Sequence, residues 1–185
     1  GLGDVYKRQV YPGENFAEHL RPFTEGAFSL GGKTKKASAV MPYYTISYER
    51  DQKYGENVGN SFNKYLIQDL LREELGYDGV VCTDWGITHD TGKTEEEFAG
   101  KCWGVEQLTE AERHLKALEA GVDQFGGNND VKPVMEAYGM ACEKYGKKAT
   151  DARFRRSAYR LLLNIFRTGL FENPYLNLAS SLSIV

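Results

Sequence analysis

Cysteine is scarce, basic residues are never clustered, and no apolar run is long. The three cysteines, Cys82, Cys102 and Cys142, include no C-x-x-C pair, so neither a zinc site nor a disulfide framework is indicated and free thiols are expected. Lys and Arg number 23 against 26 Asp and Glu, a formal net charge of −3. Spread along the chain, they form no patch that could neutralise a run of phosphates, which argues against nucleic acid as a partner. The longest apolar stretches, such as Val80-Val81-Cys82, fall far short of the ~20 residues that cross a bilayer as a helix, so no membrane association is expected. Residues 1–9 (GLGDVYKRQ) lack both methionine and any helical or strand period. They read as translated linker and are expected to pack on nothing. Residues 179–185 stop without a turn or cap, so both ends read as truncations.

What is present is ordinary globular material. A chain of 185 residues with 41% hydrophobic side chains can bury one core, as a single domain or a piece of a larger one. Helical spacing of Phe16, Leu20, Phe23 and Ala27 after the Pro12-Gly13 turn predicts a helix over 14–27. Phe62, Leu66, Leu70 and Leu71 predict a second over 60–75, with Asn60 or Ser61 as N-cap and Gly76 as stop. A third spans 108–120, opened by Thr109 with Glu112 as a capping box. Amphipathic helices are expected over 131–145 and 150–167. Between them, compact apolar runs predict buried strands near 37–44, 79–84 and 121–125. Alternating strands and helices with continuously apolar strands imply an α/β fold around a parallel sheet.

In such folds the reactive groups collect at the carboxyl ends of strands, where loops vary on a rigid scaffold. Three ends are available, at 41–44, 83–85 and 125–130. The middle one carries a carboxylate, Asp84, beside Trp85 and Gly86. A lone Asp after a strand reads more readily as a cap. A rigid strand, a carboxylate, a large aromatic and a flexible residue in one place are, however, what a sugar site needs.

At these residues a resemblance becomes specific. The run ELGYDGVVCTDWG at 74–86 is similar to the nucleophile-bearing segment of family 3 glycoside hydrolases, with Tyr77 and Thr83 replacing the usual Phe and Ser. AVMPYY at 39–44 resembles the strand whose Met and Tyr line the subsite for the non-reducing sugar. ALEAGVD at 117–123 resembles the family's last barrel strand with its preceding helix, and the stretch 156–175, ending in GLFENPY, resembles the exit from the barrel domain. Four motifs in order, over about 11–175, outweigh any one of them.

The resemblance implies a partial (β/α)8 barrel of the TIM type. Residues 1–9 would be non-native linker, 10–150 the C-terminal half of the barrel domain, and 151–185 the exit helix and the start of a linker to a further domain. It implies a retaining, exo-acting β-glycosidase for terminal β-linked glucose or xylose, with Asp84 as nucleophile and Trp85, Tyr44 and Met41 against the sugar. Tyr44 could donate a hydrogen bond to the Asp84 carboxylate. The acid/base carboxyl comes from a later domain or another loop and has no counterpart here. The family's sugar-binding Lys-His pair, Asp and Arg fall upstream of residue 1, so the fragment alone is expected to lack half of its active site. No cofactor or metal is implied, because a pair of carboxyl groups can perform the whole reaction.

Asp123 lies inside a strand and is expected to serve structure through hydrogen bonds. His19 and His114, on helices, are expected to be solvated or satisfied, and His89, just after the Asp84 loop, carries slightly more weight. The run KTEEE at 93–97 reads as a solvated loop face. Two other readings stay open. One is a carbohydrate-binding homologue without turnover. The other is an unrelated barrel lyase or aldolase, which would need a Schiff-base Lys or a carboxylate metal cluster at the strand ends.

Overall fold

The computed structural model describes residues 6–92 and 100–183; the acidic run at 93–97 lies outside them. The short strands β1 (Arg8–Gln9), β2 (Ala39–Val40), β3 (Ile46–Ser47) and β4 (Val80–Val81) form two parallel pairs, β1 with β3 and β2 with β4. A parallel bridge from Cys82 to Gln124 places the third expected segment on the far side of β4. The three predicted segments are therefore parallel neighbours, each shorter than the sequence pattern implies. β2 stops before Pro42, which has no N–H to give to a ladder. The 121–125 segment makes only one bridge because a side chain takes over part of the ladder. Val81 O accepts from the backbone N–H groups of both Asp123 and Gln124, at 2.9 and 3.2 Å, while Val81 N donates to the Asp123 carboxylate at 3.1 Å.

The expectation that residues 1–9 pack on nothing is overturned for the described part of that segment. Ile46 N donates to Lys7 O at 3.0 Å and Tyr48 N to Gln9 O at 2.8 Å, and the Thr45 hydroxyl donates to Tyr6 O at 2.8 Å. Strand pairing satisfies backbone groups and needs no periodic apolar face, so the missing period misled. The Tyr6 side chain itself stays exposed.

The helices follow the sequence with two revisions. The first predicted helix divides into α1 (Phe16–Arg21) and a π-helical stretch, Pro22–Ala27, the break falling at the proline. The second becomes a 3-10 turn, Asn60–Phe62, and a π-helix, Tyr65–Glu74. Asn63 divides them and, rather than Asn60 or Ser61, caps the longer piece. Its buried amide donates to Tyr54 O at 2.8 Å while its oxygen accepts from Leu66 N at 3.2 Å.

α2 (Glu110–Ala120) carries the expected capping box between Thr109 and Glu112, a feature that stabilises a helix by roughly 1 kcal/mol. It stops at Gly121, whose φ of 112° suits glycine. α3 (Lys132–Tyr145) packs on α2, α4 (Lys147–Arg167) packs on α3, and α5 (Leu178–Leu182) follows. The core is built from Phe62, Ile67, Tyr77, Val81, Ala117 and Val122, which join the helices to β4. Among the described residues no helix is long and apolar enough to cross a membrane.

Candidate active site

The strand ends meet on one side of this core. β4 runs through Cys82 into Thr83, which is fully buried, then Asp84, half-buried, then Trp85, which is 51% exposed. Gly86 turns the chain with a φ of 67° and lets Ile87 and Thr88 return to the interior. The Asp84 carboxylate accepts from Trp85 N at 2.8 Å, which fixes one oxygen; the other has no hydrogen bond among the described residues. Burial, aided by the Asp84 charge nearby, pushes the Cys82 thiol pKa up, which favours the neutral thiol over the thiolate. All three cysteines are free.

The third strand end provides the surface beneath Trp85. Gly126 N donates to the Thr83 hydroxyl at 2.9 Å. A Cβ on Gly126 would stand 2.8 Å from Cε3 of the indole, and one on Gly127 would collide with its Cδ1. One face of Trp85 thus lies on bare backbone and the other faces outward. Such an open aromatic face beside a carboxylate suits a sugar ring, which presents C–H groups to a π-system and hydroxyls to an acceptor.

The first strand end is joined less directly. Tyr44 is buried with its ring edge toward Trp103, at 6.2 Å between centroids. Lys101 lies over both rings, at 5.2 and 5.3 Å, and its backbone N–H donates to Gly86 O at 3.1 Å. Lys101 therefore ties Tyr44 to the loop that follows Asp84. Met41 is exposed and contributes to the wall of an apolar cavity of about 430 Å³, together with Tyr11, Phe16, Phe28 and Leu71. The described lining of that cavity includes neither Asp84 nor Trp85. Asp84 and Trp85 are brought together with the third strand end, and Met41 follows Val40, which pairs with Val81 of β4.

Asp123 is structural, as its position within the strand implies. Its carboxylate accepts from Arg72 at 2.6 Å, Ser157 at 2.6 Å and Arg160 at 3.0 Å, besides Val81 N. Burial pushes its pKa up, but the bond from Ser157, the Arg72 charge, the Val81 N–H and Arg160 together outweigh this and hold it below the usual carboxylate range. β4 and α4 are thereby bolted together under the site.

Two side chains shape the loops: Arg113, which sequence reasoning missed, and His114, expected to be solvated or satisfied. Arg113, buried, donates to the carbonyls of Thr88, Val105 and Glu106 and to the Asp90 carboxylate, holding the loop after Asp84. His114 is fully buried and satisfied, with Nδ1 at 2.8 Å from Glu110 O and Nε2 at 2.8 Å from the Asn128 amide nitrogen. The signal was available, because His114 shares the inward stripe of α2 with Ala111 and Leu118. His89 is exposed and lies 3.4 Å from Glu110, and His19 is exposed beside Tyr11. Among the described residues no group of His, Cys, Asp or Glu is placed to hold a metal ion.

Comparison with known proteins identifies the family. The model of the glycosyl hydrolase family 3 N-terminal domain matches residues 16–162. A β-glucosidase C of Emericella nidulans is 40% identical over 179 residues, 97% of this chain and 26% of that protein. A periplasmic β-glucosidase/β-xylosidase of Dickeya chrysanthemi is 42% identical over 182 residues, 92% of this chain and 26% of that protein. The chain thus spans about a quarter of the length of these relatives. Among solved structures, a β-glucosidase from Listeria innocua in complex with isofagomine superposes with a TM-score of 0.63 at 22% identity, over 92% of this chain and 20% of that one. A family 3 β-N-acetylglucosaminidase from Paenibacillus gives 0.61 at 23% identity, over 92% and 29%. These two likenesses speak to the fold, and the closer sequence matches to the lineage. The chain belongs to glycosyl hydrolase family 3, residues 16–162 corresponding to that family's N-terminal domain.

Proposed function

We propose that this chain is the nucleophile-bearing part of an exo-acting, retaining β-glycosidase that releases terminal β-linked glucose or xylose from oligosaccharides. The three parallel segments would be adjacent staves of a (β/α)8 barrel, with 10–150 forming its C-terminal half and 151–185 leading out of it. The observation that carries the reading is the end of β4. There a half-buried carboxylate with one oxygen uncommitted to Trp85 N stands beside an indole seated on one face and open on the other. The names of the relatives, β-glucosidase and β-xylosidase, agree with it.

In this reaction an Asp84 oxygen attacks the anomeric carbon as the glycosidic C–O bond breaks, and the departing oxygen takes a proton from a second carboxyl group. Water, deprotonated by that same group, then attacks the glycosyl ester and releases Asp84 with net retention. The second carboxyl must sit roughly 5–5.5 Å away to serve both steps; we assign it to no described residue and expect it from a later domain or another loop. Trp85 stacks on the sugar, while Tyr44 and Met41 border its pocket from the first strand end. The reading is tested by giving the full-length protein an aryl β-glucoside and an aryl β-xyloside. Catalytic release of the aryl alcohol is expected from at least one of them. Saturable binding of the sugar without release would instead identify a carbohydrate-binding homologue.

A further inference from the structure

The loop under Trp85 is held by more than its glycines. His114 Nδ1 faces a carbonyl, Glu110 O, which can only accept, so the ring proton is on Nδ1 and Nε2 is an acceptor. Nε2 takes the N–H of Asn128 at 2.8 Å. The Asn128 amide cannot turn over without loss, because its oxygen accepts from Asp130 N at 3.0 Å. Burial lowers the His114 pKa and keeps the ring neutral, as an acceptor must be. Phe125 packs its ring 4.4 Å from the imidazole. Every polar atom of this pair is thus committed, and the pair fixes the chain just after the two glycines on which the indole lies.

We infer that His114 and Asn128 are positioning residues for Trp85, holding the 126–128 backbone as the seat that sets the plane of the indole. The inference rests on the reading of Trp85 as the sugar platform only for its catalytic consequence. The seat itself follows from the contacts. Anchors stand at both ends, the Thr83 hydroxyl on Gly126 N and His114 on Asn128. Between them, Gly126 and Gly127 bring backbone against the indole as no residue with a Cβ could. Removing the Asn128 anchor frees that backbone and lets the ring tilt, whereas the Thr83 anchor and the nucleophile strand stay in place.

The test is ¹⁹F NMR of the full-length protein labelled with 5-fluorotryptophan, the Trp85 signal being the one that Trp85→Phe removes. Asn128→Ala is expected to shift and broaden that signal while the Trp103 signal keeps its position. His114→Leu should do the same, and His114→Gln, which presents an oxygen acceptor toward Asn128, should restore much of the native signal. A Trp85 signal unmoved in Asn128→Ala, or a His114→Gln spectrum like that of His114→Leu, would overturn the inference. Should His114→Leu disturb the whole spectrum, Asn128→Ala still decides, since Asn128 is half-buried and leaves no hole in the core. In turnover, Asn128→Ala is expected to raise KM about tenfold with a smaller change in kcat, the penalty of a misplaced binding surface. A displaced signal with an unchanged KM would keep the seat and remove Trp85 from the sugar site, which separates the two readings.

Discussion

Asp84→Asn in the full-length protein is expected to lower turnover of an aryl β-glycoside by ~10⁴-fold or more, the scale of loss when an enzyme's nucleophile is removed. The substitution keeps the shape of the side chain and the acceptor oxygen that takes Trp85 N, but an amide cannot form the glycosyl ester. Because that short-range bond survives and Asp84 lies at a strand end, the thermal midpoint should stay close to that of the parent. Loss of turnover with an intact fold points to chemistry. Loss of both would return Asp84 to the role of a cap.

Asp123→Ala is expected to act in the opposite way, through stability. The side chain is fully shielded and is the shared counter-charge of Arg72 and Arg160, with Arg153 3.7 Å away. Its removal leaves the buried Arg72 guanidinium without a counter-charge, while Arg160 keeps the Asp78 carboxylate at 2.7 Å, at a cost of about 3–5 kcal/mol. For a chain of this size that corresponds to a fall in Tm of roughly 6–20 °C. The pH dependence has a definite sign. A carboxyl whose pKa is held down in the folded state contributes stability that is present above the ordinary carboxylate range and lost as the pH falls through and below it. The parent should therefore lose stability in acid more steeply than Asp123→Ala. A loss under ~1 kcal/mol, or parallel acid profiles, would show that the cluster contributes little.

Much of this arrangement was legible in the residues. The capping box at Thr109, the stop at Gly121 and the parallel order of the three apolar segments follow from local chemistry that tertiary packing did not disturb. The inward role of Asp123 was legible from its place within a strand. What was hidden depends on partners far along the chain. β1 pairs through backbone groups that leave no mark in side-chain pattern. The second helix breaks because Asn63 finds the carbonyls of Tyr54 and Glu56. The placement of Asp84 and Trp85 just beyond β4 was legible from their neighbours. The seat of Trp85 was not, because it joins Thr83, His114 and residues 126–128 only in three dimensions.

Whether Asp84 forms a covalent bond to the sugar is measured by mechanism-based trapping. A 2-deoxy-2-fluoro glycoside with a good leaving group destabilises the oxocarbenium-like transition states and slows hydrolysis of the intermediate. The full-length protein is expected to lose activity with time and to gain the mass of one fluoroglycosyl group. Tandem mass analysis of the digest should place that mass on the peptide ELGYDGVVCTDWG, at Asp84. A label on any other carboxylate, or inactivation without covalent mass, would contradict the account.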